Sequence, residues 1–282
     1  MPPLVSVICL SYNHARFVVE ALDSVLTQSY QPVELLVVDD ASTDGSAAVI
    51  REWLIRHPHG KFFPLAVNGG NCKAFNTAFR QASGKYVIDL SADDVLLPSR
   101  IERGVRLLES RPEVGVQFSD AELIDEKGRR LGYHSDRFPH HTIPQGMIFR
   151  DLLSRYFINS PTMMIRKSVL DELGGYDETL AYEDFDFWVR SALRTQYAYI
   201  PEALVRRRVI STSMGKQQHR RSSLQAWTTL RVCEKAFDLC QGSEDLSAWR
   251  KRIVYEGRLA LGKGNLSLAW KYVQLWRRAY GN

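Results

Sequence analysis

Long apolar runs are missing from this chain. None approaches the roughly 20 residues that cross a bilayer as a helix, so no membrane span is expected. Cysteine is scarce as well. Cys9, Cys72, Cys233 and Cys240 form no Cys-x-x-Cys pair and no zinc-like spacing with histidine, which removes a redox pair and a structural zinc and points to reduced, buried thiols. Glycine is absent where nucleotide-binding loops need it. Ser11-Tyr12-Asn13-His14-Ala15 follows the first strand pattern without Gly-x-Gly-x-x-Gly, and Gly-Lys-Ser/Thr occurs nowhere, so neither a dinucleotide fingerprint nor a P-loop is present. There is no RNP, zinc-finger or evident helix-turn-helix signature, and a net charge of +5 is mild; no nucleic-acid partner is expected. The apolar amino terminus has neither a basic leader nor a cleavage site, which favours a strand over a signal peptide and a cytoplasmic chain.

What is present reads as a globular α/β protein. The 282 residues suffice for one large α/β domain with an appendage. Leu4–Leu10 is β-rich and ends at Ser11-Tyr12-Asn13, with Asn13 expected as a helix cap. A helical pattern carrying Phe17, Val18, Ala21, Leu22 and Val25 follows. Glu34–Val38 is a second strand ending at Asp39-Asp40, and Ala41–Ser46 is a polar loop opening a helix to about Arg56. A weaker strand at Phe62–Val67, the turn Asn68–Asn71 and a helix from Lys73 to Ala82 come next. Then Gly84–Ile88 forms a strand ending at Ser91-Ala92-Asp93-Asp94, beyond which Pro98 stops regular pairing.

Repeated strand-helix alternation predicts a mostly parallel sheet with helices on both faces. The carboxyl ends of parallel strands share one rim, where ligands bind in open α/β sheets. Ser11-Tyr12-Asn13, Asp39-Asp40 and Asp93-Asp94 therefore converge. Such acceptors suit a nucleotide whose base and ribose offer donors and whose diphosphate needs a cation, Mn²⁺ or Mg²⁺.

Taken in order, several stretches resemble the family-2 glycosyltransferases of GT-A fold. They are Val5–Asn13, Val37–Ser46, Asn68-Gly69-Gly70 through Asn76, Ala82–Tyr86, Ser91–Asp94, Gly174–Glu178 and Glu183–Arg190. The resemblance covers roughly residues 4 to 210. It implies a GT-A domain over 1–215 with a helical region over 216–282. It also implies inverting transfer of a sugar from a nucleoside-diphosphate donor to an acceptor hydroxyl, in cell-surface polysaccharide or glycolipid synthesis. By matching position, Ser11, Tyr12, Asp40, Lys73 and Asp93 would bind the nucleotide. Tyr12 would lie against the base, Asp40 would hydrogen-bond it and Asp93 would face the ribose or sugar. Asp94 would ligate the metal, and Asp184 would be the general base with Glu183 in reserve. Many relatives have aspartate at Ser91, which leaves one clear metal carboxylate here. A sugar-phosphate nucleotidylyltransferase is the rival enzyme, but its glycine- and arginine-rich loop after the first strand is absent. A non-catalytic nucleotide-sugar-binding module is the third reading.

Later segments have plainer readings beside the functional ones. Glu126–Gln145, with His134, His140 and His141, reads as a long loop or hairpin with its histidines toward solvent or acceptor. Asn159–Arg166 is a return strand and Tyr197–Ile200 a last strand. Arg206–Arg208 with Ser211–Lys216 is a basic stretch, either closing over the diphosphate or solvated. Arg190 is expected to pair with an acidic neighbour. From Ser222 the pattern is helical, with Leu224, Trp227, Leu230, Cys233, Phe237 and Cys240 as one stripe. The last helix, Leu266–Tyr280, mixes aromatics with basic residues. Packing on the catalytic domain, a second subunit or a membrane surface all explain that mix.

Overall fold

The structure is a computed structural model describing residues 1–138, 142–210 and 223–279. The expected boundary at 215/216, the glycine-containing part of the basic stretch, His140, His141 and Tyr280 lie outside the described residues. The chain divides into two compact units: Met1–Gly146 with Ile158–Glu178 and Thr195–Val209, and Met147–Phe157 with Thr179–Arg194 and Ile210–Asn282.

The first unit holds the whole sheet. Its strands are β1 (Val5–Ser11), β2 (Val33–Asp39), β3 (Lys61–Pro64), β4 (Tyr86–Ser91), β5 (Val95–Leu96), β6 (Val114–Ile124), β7 (Arg130–Tyr133), β8 (Met164–Arg166) and β9 (Gln196–Arg208). They run in the order β3-β2-β1-β4-β8-β6-β9-β5, with β7 paired to β6. The first four are mutually parallel, whereas β8 pairs antiparallel with both β4 and β6. Helices α1 (Val18–Leu26), α2 (Ser46–Arg56), α3 (Asn71–Phe79) and α4 (Arg100–Ser110) connect and cover the sheet, and α6 (Lys167–Leu173) follows β8.

Every residue of β1 is buried. That is the expected state of a central parallel strand covered on both faces, and it explains the unbroken apolar run in its sequence. The core joins Val7 and Cys9 of β1, Leu22 of α1, Val37 of β2, Trp53 of α2 and Leu90 of β4. The chain lays β2 and β3 on one side of β1 and then crosses to place β4 on the other. The loops after β1 and β4 thus leave in different directions and open a crevice at their carboxyl ends, the topological switch point.

The turn entering β4 shows how closely this register is specified. Gly84 donates its amide to Ser6 Oγ at 2.9 Å, and the Ser6 hydroxyl donates in turn to Glu34 Oε1 at 2.6 Å. Glu34 also accepts from the Ser83 amide and hydroxyl at 2.6 and 2.9 Å. A Cβ on Gly84 would stand 2.6 Å from the Ser6 nitrogen and 2.9 Å from the Leu4 carbonyl oxygen, which are backbone atoms that cannot swing aside.

Several local expectations change. Asn13 does not cap α1: the helix starts at Val18, with Phe17 at the cap position, because the Asn13 side chain is drawn to another loop. The last strand is longer than its apolar segment and runs through Arg206–Arg208, so these arginines are strand residues paired to β6 and not a loop. The Glu126–Gln145 segment begins as the β6–β7 hairpin. His134 is buried and packs edge-on against Phe138, not toward solvent. Only Met164–Arg166 of the expected return strand pairs as a strand, after a short 3-10 turn at Ser160–Thr162.

Gly84→Ala is expected to lower stability by roughly 1–3 kcal/mol through backbone overpacking between β1 and β4. Urea unfolding followed by circular dichroism checks this; an unchanged midpoint contradicts it.

Candidate donor site

Three strand ends build the site in the first unit. Ser11 ends β1 almost fully buried and lies beside Asp39 in the β1–β2 register. The chain then turns at Asn13, whose φ of 58° is the left-handed conformation that asparagine tolerates better than most residues. The loop after β2 clasps this turn. Asn13 Oδ1 accepts from the Thr43 amide at 2.8 Å, while Ser42 Oγ and Ser46 Oγ accept from the amides of Asn13 and His14, each at 2.9 Å. Asp44 Oδ2 accepts from the Ala15 amide at 2.9 Å. Burial raises the Asp44 carboxyl, but the Ser46 and Ala15 hydrogen bonds outweigh it and hold the group below its ordinary range. With the loop pinned on both sides, Tyr12 remains 47% exposed at the rim, as a ring that stacks on a ligand must.

Asp40 is buried behind it. Its carboxylate oxygens accept from the amides of Gly69 and Gly70 at 2.7 and 2.9 Å, so it first of all holds the turn between β3 and α3. Lys73 is exposed on the first turn of α3, with its alkyl chain over Gly69. Asp39 Oδ2 accepts from the Ser42 amide at 3.0 Å and serves the turn.

At the end of β4 the two carboxylates divide. Asp93 Oδ1 accepts from the Ser91 hydroxyl at 2.5 Å, and Asp93 Oδ2 stands 4.0 Å from His14 Nε2. The serine that stands where many relatives have aspartate therefore orients Asp93. Asp94 Oδ1 accepts from the Arg208 amide at 2.8 Å. Burial, then the neighbouring Asp93 carboxylate, pushes the Asp94 carboxyl well above the usual range, against the pull of the Arg208 amide and of Arg207 and Arg208.

Arg208 is the residue the sequence reading missed. It is buried, and its guanidinium donates to the Asp93 carbonyl at 2.9 Å, the Asp125 carbonyl at 3.1 Å and Glu20 Oε2 at 2.6 Å. It also lies 4.7 Å over the Phe17 ring. A basic run signals arginine but not its burial. Arg206, by contrast, pairs on the surface with Glu122 at 3.0 Å.

Three buried polar atoms in this region have no partner among the described residues: Ser11 Oγ, His14 Nδ1 and Asp39 Oδ1. Leaving such groups unpaired is costly, so their grouping at strand ends marks a place built for a polar ligand. Among the described residues no cluster of three or more His, Cys, Asp or Glu is arranged as a metal cage. Asp94 alone fits an ion that takes its other ligands from a diphosphate and water.

Residues 6–174 match the family model described as Glycosyl transferase family 2. The chain belongs to that family. An uncharacterized glycosyltransferase of Rickettsia felis is 30% identical over 224 residues, 77% of this chain and 36% of its own length. Another, of Methanocaldococcus jannaschii, is 26% identical over 239 residues, 82% of this chain and 79% of that one. The chain thus spans only about a third of the first relative's length. Among solved structures, S. aureus TarS 1–349 in complex with UDP-GlcNAc superposes with a TM-score of 0.67 at 19% identity, covering 88% of this chain and 71% of that one. The mannosyltransferase PcManGT from Pyrobaculum calidifontis, in complex with GDP-Man and Mn²⁺, gives 0.66 at 20% identity, with 100% and 76% covered. These likenesses establish the GT-A fold for this chain.

Glu183 and Asp184 belong to the second unit, past the end of the family match. Helix α7 (Asp184–Ser191) has Glu183 at its cap position. Asp186 is buried and neutralised by Arg190 Nε and Lys235 Nζ, each at 2.7 Å, the pairing expected of Arg190. Asp184 is half-buried at the first helical position, where the macrodipole favours a carboxylate.

Among the described residues this unit also holds α5 (Phe149–Ser154), α8 (Leu224–Leu239), α9 (Ser243–Gly262) and α10 (Leu266–Arg278). They pack on α7 and on each other. The Tyr182 hydroxyl meets Thr229 Oγ1 at 2.6 Å, and the Ala181 amide donates to Thr228 Oγ1 at 3.0 Å. Thr228 and Thr229 therefore face inward and Leu224 outward, which rotates the buried face of α8 away from the expected stripe; Leu230 and Cys233 remain on it. Buried Arg252 donates to the carbonyls of Leu152 and Leu153 at 3.0 and 3.2 Å, lies 3.8 Å over the Tyr156 ring and reaches the Phe185 ring at 5.1 Å.

Arg208→Ala leaves Glu20 and the Asp93 and Asp125 carbonyls without the buried guanidinium that binds them and is expected to cost about 1–3 kcal/mol. Arg208→Lys is expected to recover part of it, since the charge stays and the planar fork is lost. Urea midpoints of both variants check the order; equal losses contradict it.

Proposed function

We propose that this glycosyltransferase moves a sugar from a nucleoside-diphosphate donor to a hydroxyl of a saccharide or lipid-linked acceptor, with inversion at the anomeric carbon. The observation behind it is the grouping of three unpartnered buried polar atoms with Asp93 and Asp94 at the switch point of the sheet. The bound nucleotide sugars of the two structural neighbours support the same donor class.

In this reading Tyr12 stacks on the base, and Ser11 and Asp40 bound its edge. Asp93, oriented by the Ser91 hydroxyl, accepts from the ribose or the donor sugar. Lys73 stands beside the Asp40-held turn as a cation for the nucleotide. Asp94 would hold Mn²⁺ or Mg²⁺ together with diphosphate oxygens. Such an ion supplies charge neutralisation to the leaving diphosphate.

Transfer is one in-line displacement. The acceptor oxygen bonds to the anomeric carbon as the bond from that carbon to the diphosphate oxygen breaks. The acceptor proton passes to a carboxylate, assigned to Asp184 with Glu183 in reserve. Asp186 is set aside, since it is buried against two cations.

Calorimetry with UDP-, GDP- and dTDP-sugars, with and without Mn²⁺, is expected to show one nucleotide class binding in a metal-enhanced way. Absence of binding to every donor with metal present would overturn the proposal. Asp94→Asn is expected to abolish the metal enhancement. Asp184→Asn is expected to keep donor binding while transfer falls about 10²–10⁴-fold; full transfer by that variant removes Asp184 from the role of base.

A further inference from the structure

The outer surface of the last two helices is left over by everything above. On α10 the buried residues are Leu268, Tyr272 and Leu275, at i, i+4 and i+7, and Tyr272 packs against Gly257 of α9. A second line at the same spacing faces out: Leu266 is 67% exposed, Trp270 53% and Val273 40%. Arg277 extends it by one turn, its guanidinium 5.7 Å from the Trp270 ring. In the last turn of α9 Leu261 is exposed as well. Exposed tryptophan and leucine on one helical line mark a surface that meets something apolar.

The charge on this hairpin is one-sided. Between residues 251 and 279 the chain has seven Lys and Arg and a single acid, Glu256. Glu256 is buried against Arg252 at 3.3 Å and contributes nothing to the outer surface. Arg278 is shared with Asp238 on α8 at 3.5 Å. Lys251, Arg258, Lys263, Lys271 and Arg277 remain as the charge around the apolar line.

We propose that the α9–α10 hairpin docks on an anionic lipid bilayer, with α10 lying in the plane of the interface. Its 13 residues span about 20 Å, and no helix among the described residues is long and apolar enough to cross a membrane. Leucine, valine and tryptophan enter the boundary between headgroups and acyl chains, where tryptophan is favoured, and the Lys and Arg side chains reach lipid phosphates. A second copy of this chain is the poorer occupant, since a two-fold contact would set the same cations against each other. The inference is independent of the donor reading; failure of donor binding leaves it standing.

The test is sedimentation of the full chain with vesicles. Phosphatidylcholine alone is compared with phosphatidylcholine containing roughly one-third phosphatidylglycerol. Partition is expected to rise roughly tenfold or more with the anionic lipid and to fall with added salt. Trp270→Glu places a charge on an exposed position, so folding should persist by circular dichroism while binding is lost. Lys271→Glu is expected to weaken binding to the anionic vesicles only. No sedimentation with anionic vesicles overturns the proposal, as does wild-type binding by Trp270→Glu. A dimer in light scattering that Trp270→Glu dissociates would assign the face to self-association and overturn it equally.

Discussion

Burying Asp93 and Asp94 side by side is the constraint around which the first unit is arranged. Two adjacent carboxylates removed from water repel each other and lose solvation, and the Asp94 carboxyl is accordingly driven up. The fold answers with buried Arg208 at the end of a strand far along the chain: its backbone amide donates to the Asp94 carboxylate and its guanidinium to the Asp93 carbonyl. The guanidinium also ties α1 through Glu20 and the β6–β7 turn through the Asp125 carbonyl. One residue thus joins four elements around the end of β4, and removing its side chain leaves those acceptors unpaired.

That arrangement also explains why the site is rigid on one side and open on the other. The loops after β1 and β2 are stitched by hydrogen bonds from Asn13, Ser42, Asp44 and Ser46, and Asp40 holds the Gly69-Gly70 turn. Beside these loops, Ser11, His14 and Asp39 keep buried polar atoms with no partner among the described residues. A glycine cradle for the diphosphate is absent from the sequence; the acidic pair stands in its place. In the proposed reading a cation accompanying the ligand does the work that backbone amides do in a glycine cradle.

In the second unit the C-terminal helices are part of the scaffold of α7. Arg252 is held between the rings of Tyr156 and Phe185, and Thr228 and Thr229 bond the segment that leads into the helix. The inward faces of α9 and α10 are spent on this packing, which is why their outward faces, apolar and basic together, call for a separate account.

Much of the scaffold was legible because it is local. Apolar runs ending in polar turns mark β1, β2 and β4, helical spacing marks the covering helices, and the parallel arrangement follows from their alternation. The carboxylates at the strand ends were legible for the same reason. What sequence alone could not decide was which of these polar groups spend themselves on each other. Asn13 bonds a loop and leaves α1 uncapped; Asp40 is engaged by two glycine amides; Ser91 orients Asp93; Asp186 is neutralised by two cations. Arg208 read as one of three arginines either closing over a diphosphate or solvated, and its backbone contact with Asp94 spans 114 positions of sequence. Periodicity and turn chemistry report on neighbours within a few residues. The pairing of buried charges is chosen by tertiary packing, since only the folded sheet brings the end of β9 against the end of β4.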